Sequence, residues 1–258
     1  MVNKVTNQKI NIVIPMAGNG SRFVEAGYKK PKPFINVNGK SMIERVMENL
    51  NLNDCYDISY YLIAKEEHLK QEAEIVKYLK TKYNVTFITV DKTTEGAACT
   101  VLFARKYINN DDMLIFANSD QIIDFDIKDF IDDALNSDLD ASILTFIDEE
   151  KNPKWSFAQI DKNNRVLKVA EKQVISQYAT VGIYLYKKGC IFVNSAIDMI
   201  INNDRFNNEF YVCPTYNYVI KSGYKVGIFN INFADMHGLG TPEDLTKYLN
   251  RKVANFIV

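Results

Sequence analysis

An α/β fold, with a mainly parallel mixed central sheet flanked by helices and a small antiparallel flap in its second half, is predicted from three observations. Short β-branched runs alternate with helix-period runs up to about residue 140, strand runs then follow one another with little helix between them, and a glycine-rich loop directly follows the first apolar run. Strands separated by helices of ten or more residues imply right-handed crossovers and a parallel sheet.

The first strand is Ile10-Asn11-Ile12-Val13-Ile14, and Met42, Ile43, Val46, Met47 and Leu50 then repeat at the spacing of one helix face. The pattern recurs as strand 58–64 with helix 66–80, strand 85–90 with helix 97–107, and strand 113–117 with helix 127–135. In such sheets ligands bind beyond the carboxyl ends of the strands, so the loops at 15–33, 91–96 and 118–125 are expected to open onto one face. Residues 141–147, 157–160, 166–171 and 180–186 read as strands, the middle pair joined by a turn at "DKNNR", 161–165. Helices at 190–201 and 214–221, a strand at 225–233 and a closing helix from Pro242, capped by Thr241, complete the chain. No linker or repeat interrupts it. We expect a single domain, 1–258, whose two halves, about 1–140 and about 141–258, differ in strand and helix pattern.

Composition narrows the function classes. With 258 residues, 47% of them hydrophobic, a substantial core can form. Lysine plus arginine (31) balance aspartate plus glutamate (32), so no global field draws the chain to nucleic acid or an anionic membrane. No apolar run approaches the ~20 residues of a membrane span. Cys55, Cys99, Cys190 and Cys213 are isolated and read as buried thiols of a reducing, cytoplasmic compartment.

The loop "IPMAGNGSRFVEAGYKKPKPF", 14–34, carries the first chemical signal. Glycines after a buried strand let backbone N–H groups approach phosphate oxygens, and Arg22 and Lys32 bring charge to match. The spacing is neither that of a P-loop nor that of the dinucleotide fingerprint.

"PMAGNGSRF" followed by "KPKPFINVNGKSMIERV" resembles the signature of the sugar-phosphate nucleotidyltransferases, also called nucleotide-sugar pyrophosphorylases, although the spacer "VEA" after Arg22 and Phe23 replaces the usual Pro-Leu-Thr. "TEGAACTVLFA" (94–104), "LIFANSDQII" (114–123), "VAEKQ" (169–173), "TVGIYLY" (180–186) and "GLGTPEDL" (238–245) resemble further segments of that family, so the likeness spans the catalytic domain. The resemblance implies a Rossmann-like, glycosyltransferase-A-type fold and a reaction in which a sugar-phosphate oxygen attacks the α-phosphorus of a nucleoside triphosphate, with Mg2+ as cofactor. Ala17, Gly18, Asn19, Gly20 and Ser21 are then expected at the triphosphate, with Arg22 and Lys32 as the catalytic cations. Glu95, Gly96 and Ser119 are expected at the nucleotide, and Lys172, Glu171, Gly182 and Glu209 at the acceptor. Asp120 and Asp235 are the expected metal ligands, although Asp235 lies further from Gly240-Thr241 than the family spacing, and His237 competes with it.

Bland readings stand beside these. Lys29 and Lys30 are expected to face solvent, Trp155 to be a packing anchor, and His68 to be exposed. A pyrimidine base is favoured because pyrimidine triphosphates are common in that family and a glutamate at 95 can pair with a cytosine amino group, although Glu95 is equally read as a cap of the helix that begins at Gly96. A glycosyltransferase of the same architecture is the rival function, but it leaves Arg22, Lys32 and Pro31-Lys32-Pro33 without a task, and a non-catalytic nucleotide sensor is a third. No nucleic-acid or membrane partner is expected, a homo-oligomer is left open, and a capsule or surface-glycan pathway follows only by analogy.

Overall fold

The computed structural model describes residues 8–254. Strand β1 (Lys9–Pro15) leads into a short helix α1 (Ser21–Glu25), a 3-10 turn at Lys32–Phe34, a ribbon of β2 (Asn36–Val37) and β3 (Lys40–Ser41), and helix α2 (Met42–Asn49). There follow β4 (Asp57–Lys65), α3 (Glu66–Gln71), α4 (Ala73–Lys82), β5 (Val85–Val90), α5 (Ala97–Val101), α6 (Arg105–Ile108), β6 (Met113–Ala117), β7 (Gln121–Ile123) and α7 (Ile127–Asn136). The second half contains β8 (Ala141–Ile147), β9 (Phe157–Ile160), β10 (Val166–Ala170), β11 (Tyr178–Tyr186), α8 (Gly189–Ile201), α9 (Thr215–Lys221), β12 (Val226–Ile231), β13 (Met236–Gly238) and α10 (Pro242–Ala254).

Nine strands form one sheet in the order β10-β9-β11-β6-β1-β4-β5, with β8 paired to β11 and β12 paired to β8. β1 runs parallel to both β4 and β6, whereas β9, β10 and β11 supply the antiparallel part. The expected mixed α/β sheet with an antiparallel flap is thus the observed one. Because the chain leaves β1 toward β4 and β5 and returns to its other side as β6, the strand order reverses at β1/β6, where a crevice opens at the carboxyl ends.

Alternation along the central strands divides the core. Ile10, Ile12 and Ile14 pack on one face with α2 and α7 residues such as Val46 and Phe130, while Val13 and Phe116 pack on the other with Ala98, Phe192 and Tyr216. Burying side chains of this size contributes roughly 1.5–3 kcal/mol each relative to exposure. Helix α2 starts where Ser41 Oγ accepts from the Glu44 N–H at 3.3 Å, a capping contact worth ~1 kcal/mol, and it buries the apolar face that its spacing predicts.

Three local expectations need correction. The helix expected over 66–80 is broken at Glu72, where φ is −112°; the Glu72 carboxylate is buried there and accepts from Lys30 Nζ at 2.7 Å. Lys30 is therefore a clamp and not merely a solvent-facing charge. The helix expected over 97–107 is two short helices separated by a 3-10 turn at Leu102–Ala104, where Ala104 has ψ 0°. Among the cysteines only Cys213 is fully buried. No helix among the described residues is long and apolar enough to cross a membrane.

Candidate active site

The loops after β1, β5 and β6 meet over the β1/β6 crevice, as expected from the topology. Gly20 is left-handed at φ 61°, and a Cβ there would sit 3.1 Å from the Lys32 Cβ, so glycine permits both the turn and the approach of Lys32. Phe23, 1% exposed, anchors α1 in a small core with Ile35, Val37 and Leu239. The glycine loop is tied across the crevice by Asn19, whose Oδ1 accepts from Lys65 Nζ at 2.6 Å and from the Thr93 hydroxyl at 3.2 Å.

Lys32 Nζ reaches across to the Asp120 carboxylate and forms an ion pair with it, both side chains being about four-fifths buried. Asp120 follows β6 and is fixed on its other side by the chain before α10: its carbonyl accepts from the Leu239 N–H at 2.7 Å. Beside Asp120 lies a cavity of about 360 Å3, lined by Ala17, Gly18, Gly96, Ser119 and Asp120 among the expected nucleotide and metal residues, and also by Thr93, Thr94, Thr100 and Glu209; Lys32 stands behind Asp120 and does not line it.

A second cavity, of about 290 Å3, shares Ala97 and Asn118 with the first and is lined by Glu171 and Gly182 among the expected acceptor residues. Gly182 has φ 92°, and a Cβ there would lie 2.2 Å from Asn118 Nδ2, so a glycine is what lets Asn118 stand between the two cavities. Glu171 is buried and accepts from the Ser156 hydroxyl at 2.5 Å. Burial pushes its carboxyl above the ordinary value, with Ser156 and Lys172 opposing. Lys172, left-handed at φ 49°, donates to the Tyr211 hydroxyl at 2.8 Å, and its Nζ lies 4.7 Å from the Tyr211 ring centroid. Burial works against its charge, but Tyr211 and the nearby carboxylates of Glu171 and Glu209 outweigh that and raise its pKa.

Several expected residues are not brought together. Glu95 does not line the nucleotide cavity; it pairs with Arg205 at 2.5 Å, its side chain 65% exposed, which removes the residue on which a pyrimidine preference rested. Glu209 lines the nucleotide cavity and not the acceptor cavity. Asp235 is separated from Asp120 by the β7/β13 register. Its carbonyl accepts from the Asp124 N–H at 2.8 Å, four residues along the ribbon from the Asp120–Leu239 bond, or roughly 13 Å at strand rise. No group of three or more His, Cys, Asp or Glu that could hold a metal is found among the described residues. His237, buried, is engaged by Asp124 at 2.8 Å and by Arg251 at 3.2 Å. Arg22 and Ser21 are exposed on α1.

Residues that sequence reasoning passed over also stand at the site. Lys65, Thr93, Thr94 and Thr100 flank the glycine loop or line the first cavity, and Gln121, Trp155, Ser156 and Tyr211 line the second. Lys65 ends a strand whose carboxyl end faces the crevice, which is the signal that could have found it. The rest lie in loops without a periodic pattern. His68 is not exposed either: its side chain is 13% accessible, and burial together with Lys65 lowers its pKa.

The reversed-order α/β sheet thus carries, at one crevice, a glycine loop, a lysine–carboxylate pair and two adjoining cavities. The profile of the nucleotidyl transferase family matches residues 12–228, and the chain belongs to that family. It is 26% identical over 191 residues to the bifunctional protein GlmU of Methanococcus aeolicus, covering 74% of this chain and 42% of that one. It is 26% identical to the 2-C-methyl-D-erythritol 4-phosphate cytidylyltransferase of Thermosipho africanus, over 90% of this chain and 93% of the relative. Among solved structures, the nucleoside-diphosphate-sugar pyrophosphorylase of Vibrio cholerae RC9 superposes with a TM-score of 0.79 at 23% identity, covering 93% of this chain and 99% of the other, a likeness of fold. The chain spans about two-fifths of the length of the GlmU relatives it matches.

Proposed function

We propose that this chain joins a nucleoside triphosphate to a sugar phosphate, or to a related small phosphorylated acceptor, giving a nucleotide-activated product and pyrophosphate. The observation that carries the reading is the seam at 118–121: Asn118 lines both cavities, Asp120 the first, Gln121 the second, and Lys32 is paired to Asp120 at the join. Two ligands bound on either side of that seam would meet beside a lysine and a carboxylate.

The main-chain N–H groups of Gly18, Asn19, Gly20 and Ser21, with Arg22, would hold the triphosphate, and Lys32 would stabilise charge that develops on the α-phosphate. Thr93, Thr94, Gly96 and Ser119 would wall the nucleoside. Glu171, Lys172 and Gly182 would hold the acceptor, whose phosphate oxygen attacks the α-phosphorus as the bond to the β-phosphate oxygen breaks. No general base is needed, because a phosphate monoester is already ionised near neutral pH. Alignment of two polyanions and neutralisation of their charge then carry most of the rate.

Asp120 suits Mg2+, a hard cation that takes carboxylate oxygen and keeps water and phosphate oxygens as its remaining ligands, so the separated Asp235 is not required. Bound there, the ion would neutralise phosphate charge. A cytoplasmic setting, where nucleoside triphosphates are supplied, and a role in capsule or surface-polysaccharide synthesis complete the reading; the pathway rests on analogy alone. A pyrophosphate-release assay, with and without Mg2+, of the common nucleoside triphosphates against sugar and polyol phosphates tests it. Release that requires both substrates is expected. Tight nucleotide binding with no release from any pair would overturn the proposal.

A further inference from the structure

Trp155, the chain's only tryptophan, does pack as expected, edge-on to Phe146 at 5.3 Å and 86°. It also lines the acceptor-side cavity, as does its neighbour Lys154, in the loop between β8 and β9. The exposed Lys154 lays its ammonium over the indole, 4.4 Å from the ring centroid. On the same cavity, Tyr211 carries the Lys172 ammonium at 4.7 Å.

Aromatic faces beside a carboxylate would ordinarily invite a cationic ligand. Here two of those rings already carry the protein's own cations. The only carboxylate lining this cavity is Glu171, and its charge is answered by Lys172 and by the Ser156 hydroxyl. Glu209, the other acid near Lys172, is exposed and lines the nucleotide side. An ammonium group entering this cavity would meet the Lys154 charge on its wall, with Lys172 behind Tyr211, and no uncommitted carboxylate. A hydroxyl would meet Glu171, Thr180 and the carboxamide of Gln121, whose buried Oε1 has no partner.

We propose that Lys154, seated on Trp155, is an acceptor-selectivity element: phosphorylated acceptors with a neutral or acidic carbon skeleton enter, and those bearing an ammonium group are rejected. This rests on the second cavity being the acceptor site. Lys154 acts through charge at short range, so the discrimination weakens as salt screens it.

The test uses the full chain and matched phosphates that differ by a hydroxyl or an amine: glucose 1-phosphate with glucosamine 1-phosphate, and 2-hydroxyethyl phosphate with ethanolamine phosphate. Acceptor kcat/KM is measured by pyrophosphate release, and binding by the fluorescence of Trp155. The wild type is expected to favour the hydroxyl member of a pair by about tenfold or more, falling with ionic strength. Lys154→Met should bring the ratio to within about threefold and remove its salt dependence, and Lys154→Glu should invert it. An unchanged ratio in Lys154→Met, or no preference in the wild type, would overturn the proposal. If the ratio stays unchanged while pyrophosphate is released, selectivity alone falls. If no pair releases pyrophosphate but fluorescence shows the preference and its loss in Lys154→Met, the transfer reading falls and the selectivity element stands.

Discussion

The Lys32 ammonium and the Asp120 carboxylate, 88 residues apart in the chain, meet as an ion pair at the seam between the two cavities. Asp120 lines the first cavity, and both side chains are mostly withdrawn from water, so the pair's charges are little screened by solvent.

Asp120→Asn should lower kcat by about two to three orders of magnitude while the urea midpoint changes little, the size expected when one electrostatic contact to developing charge is lost. Asp235→Asn should leave kcat within about threefold, since the ribbon holds it apart from Asp120. Equal losses in the two variants would show that both carboxylates serve one ion.

Glu95→Gln removes an ion pair with Arg205 that is two-thirds exposed on the glutamate side. Such pairs contribute at most ~1 kcal/mol, so stability should hardly move. Because Glu95 stands outside the nucleotide cavity, the ranking of triphosphates by kcat/KM should also persist. A changed ranking would return Glu95 to the base.

Gly96→Ala should be costly. Gly96 has φ 124°, and a Cβ there would approach the Phe210 carbonyl oxygen to 2.4 Å. Phe210 is held against this turn by its N–H to Glu95 O at 2.7 Å and its carbonyl to Ala98 N at 2.9 Å. Backbone strain of this kind costs about 1–3 kcal/mol, or several degrees of Tm. Since Glu209 and Tyr211 flank Phe210 and line opposite cavities, KM should rise for both substrates. A rise for the triphosphate alone would show that the 203–213 segment does not link the two.

Glu171 makes a pH-dependent contribution. Burial holds its carboxyl above the ordinary 4.5, so the native state binds the proton more tightly than the unfolded chain. Stability is therefore lost as pH rises from the unfolded value through the raised folded one. Glu171→Gln carries no such penalty, and its urea midpoint relative to wild type should climb as pH rises above the ordinary carboxylate value. Parallel profiles would contradict the burial argument.

Asn11 lies in β1, fully buried, with both polar side-chain atoms unpartnered, and nothing in the structure explains it. Asn11→Leu, similar in size, should raise stability by about 1–3 kcal/mol in urea denaturation if those atoms are indeed unsatisfied. A loss of stability would point to a partner such as buried water.

Strand and helix periodicity by itself determined most of the layer architecture, because apolar spacing reports which face of an element must be buried. It also placed the glycine loop at a strand's carboxyl end, and the resemblance of 14–34 and its companion segments identified the family. Tertiary structure alone decided which of the named residues meet. Glu95, expected at the nucleotide, stands outside that cavity and pairs with Arg205, and the helix pattern of 66–80 is interrupted at Glu72, whose buried carboxylate meets Lys30 from another loop. Asp235 follows a strand as a metal ligand would, yet hydrogen-bond register sets it four residues from Asp120. Lys154 had no pattern to distinguish it, and Trp155 was expected only to pack. Their place on a cavity wall depends on how the 148–156 loop packs against strands distant in sequence, and local periodicity does not encode that packing.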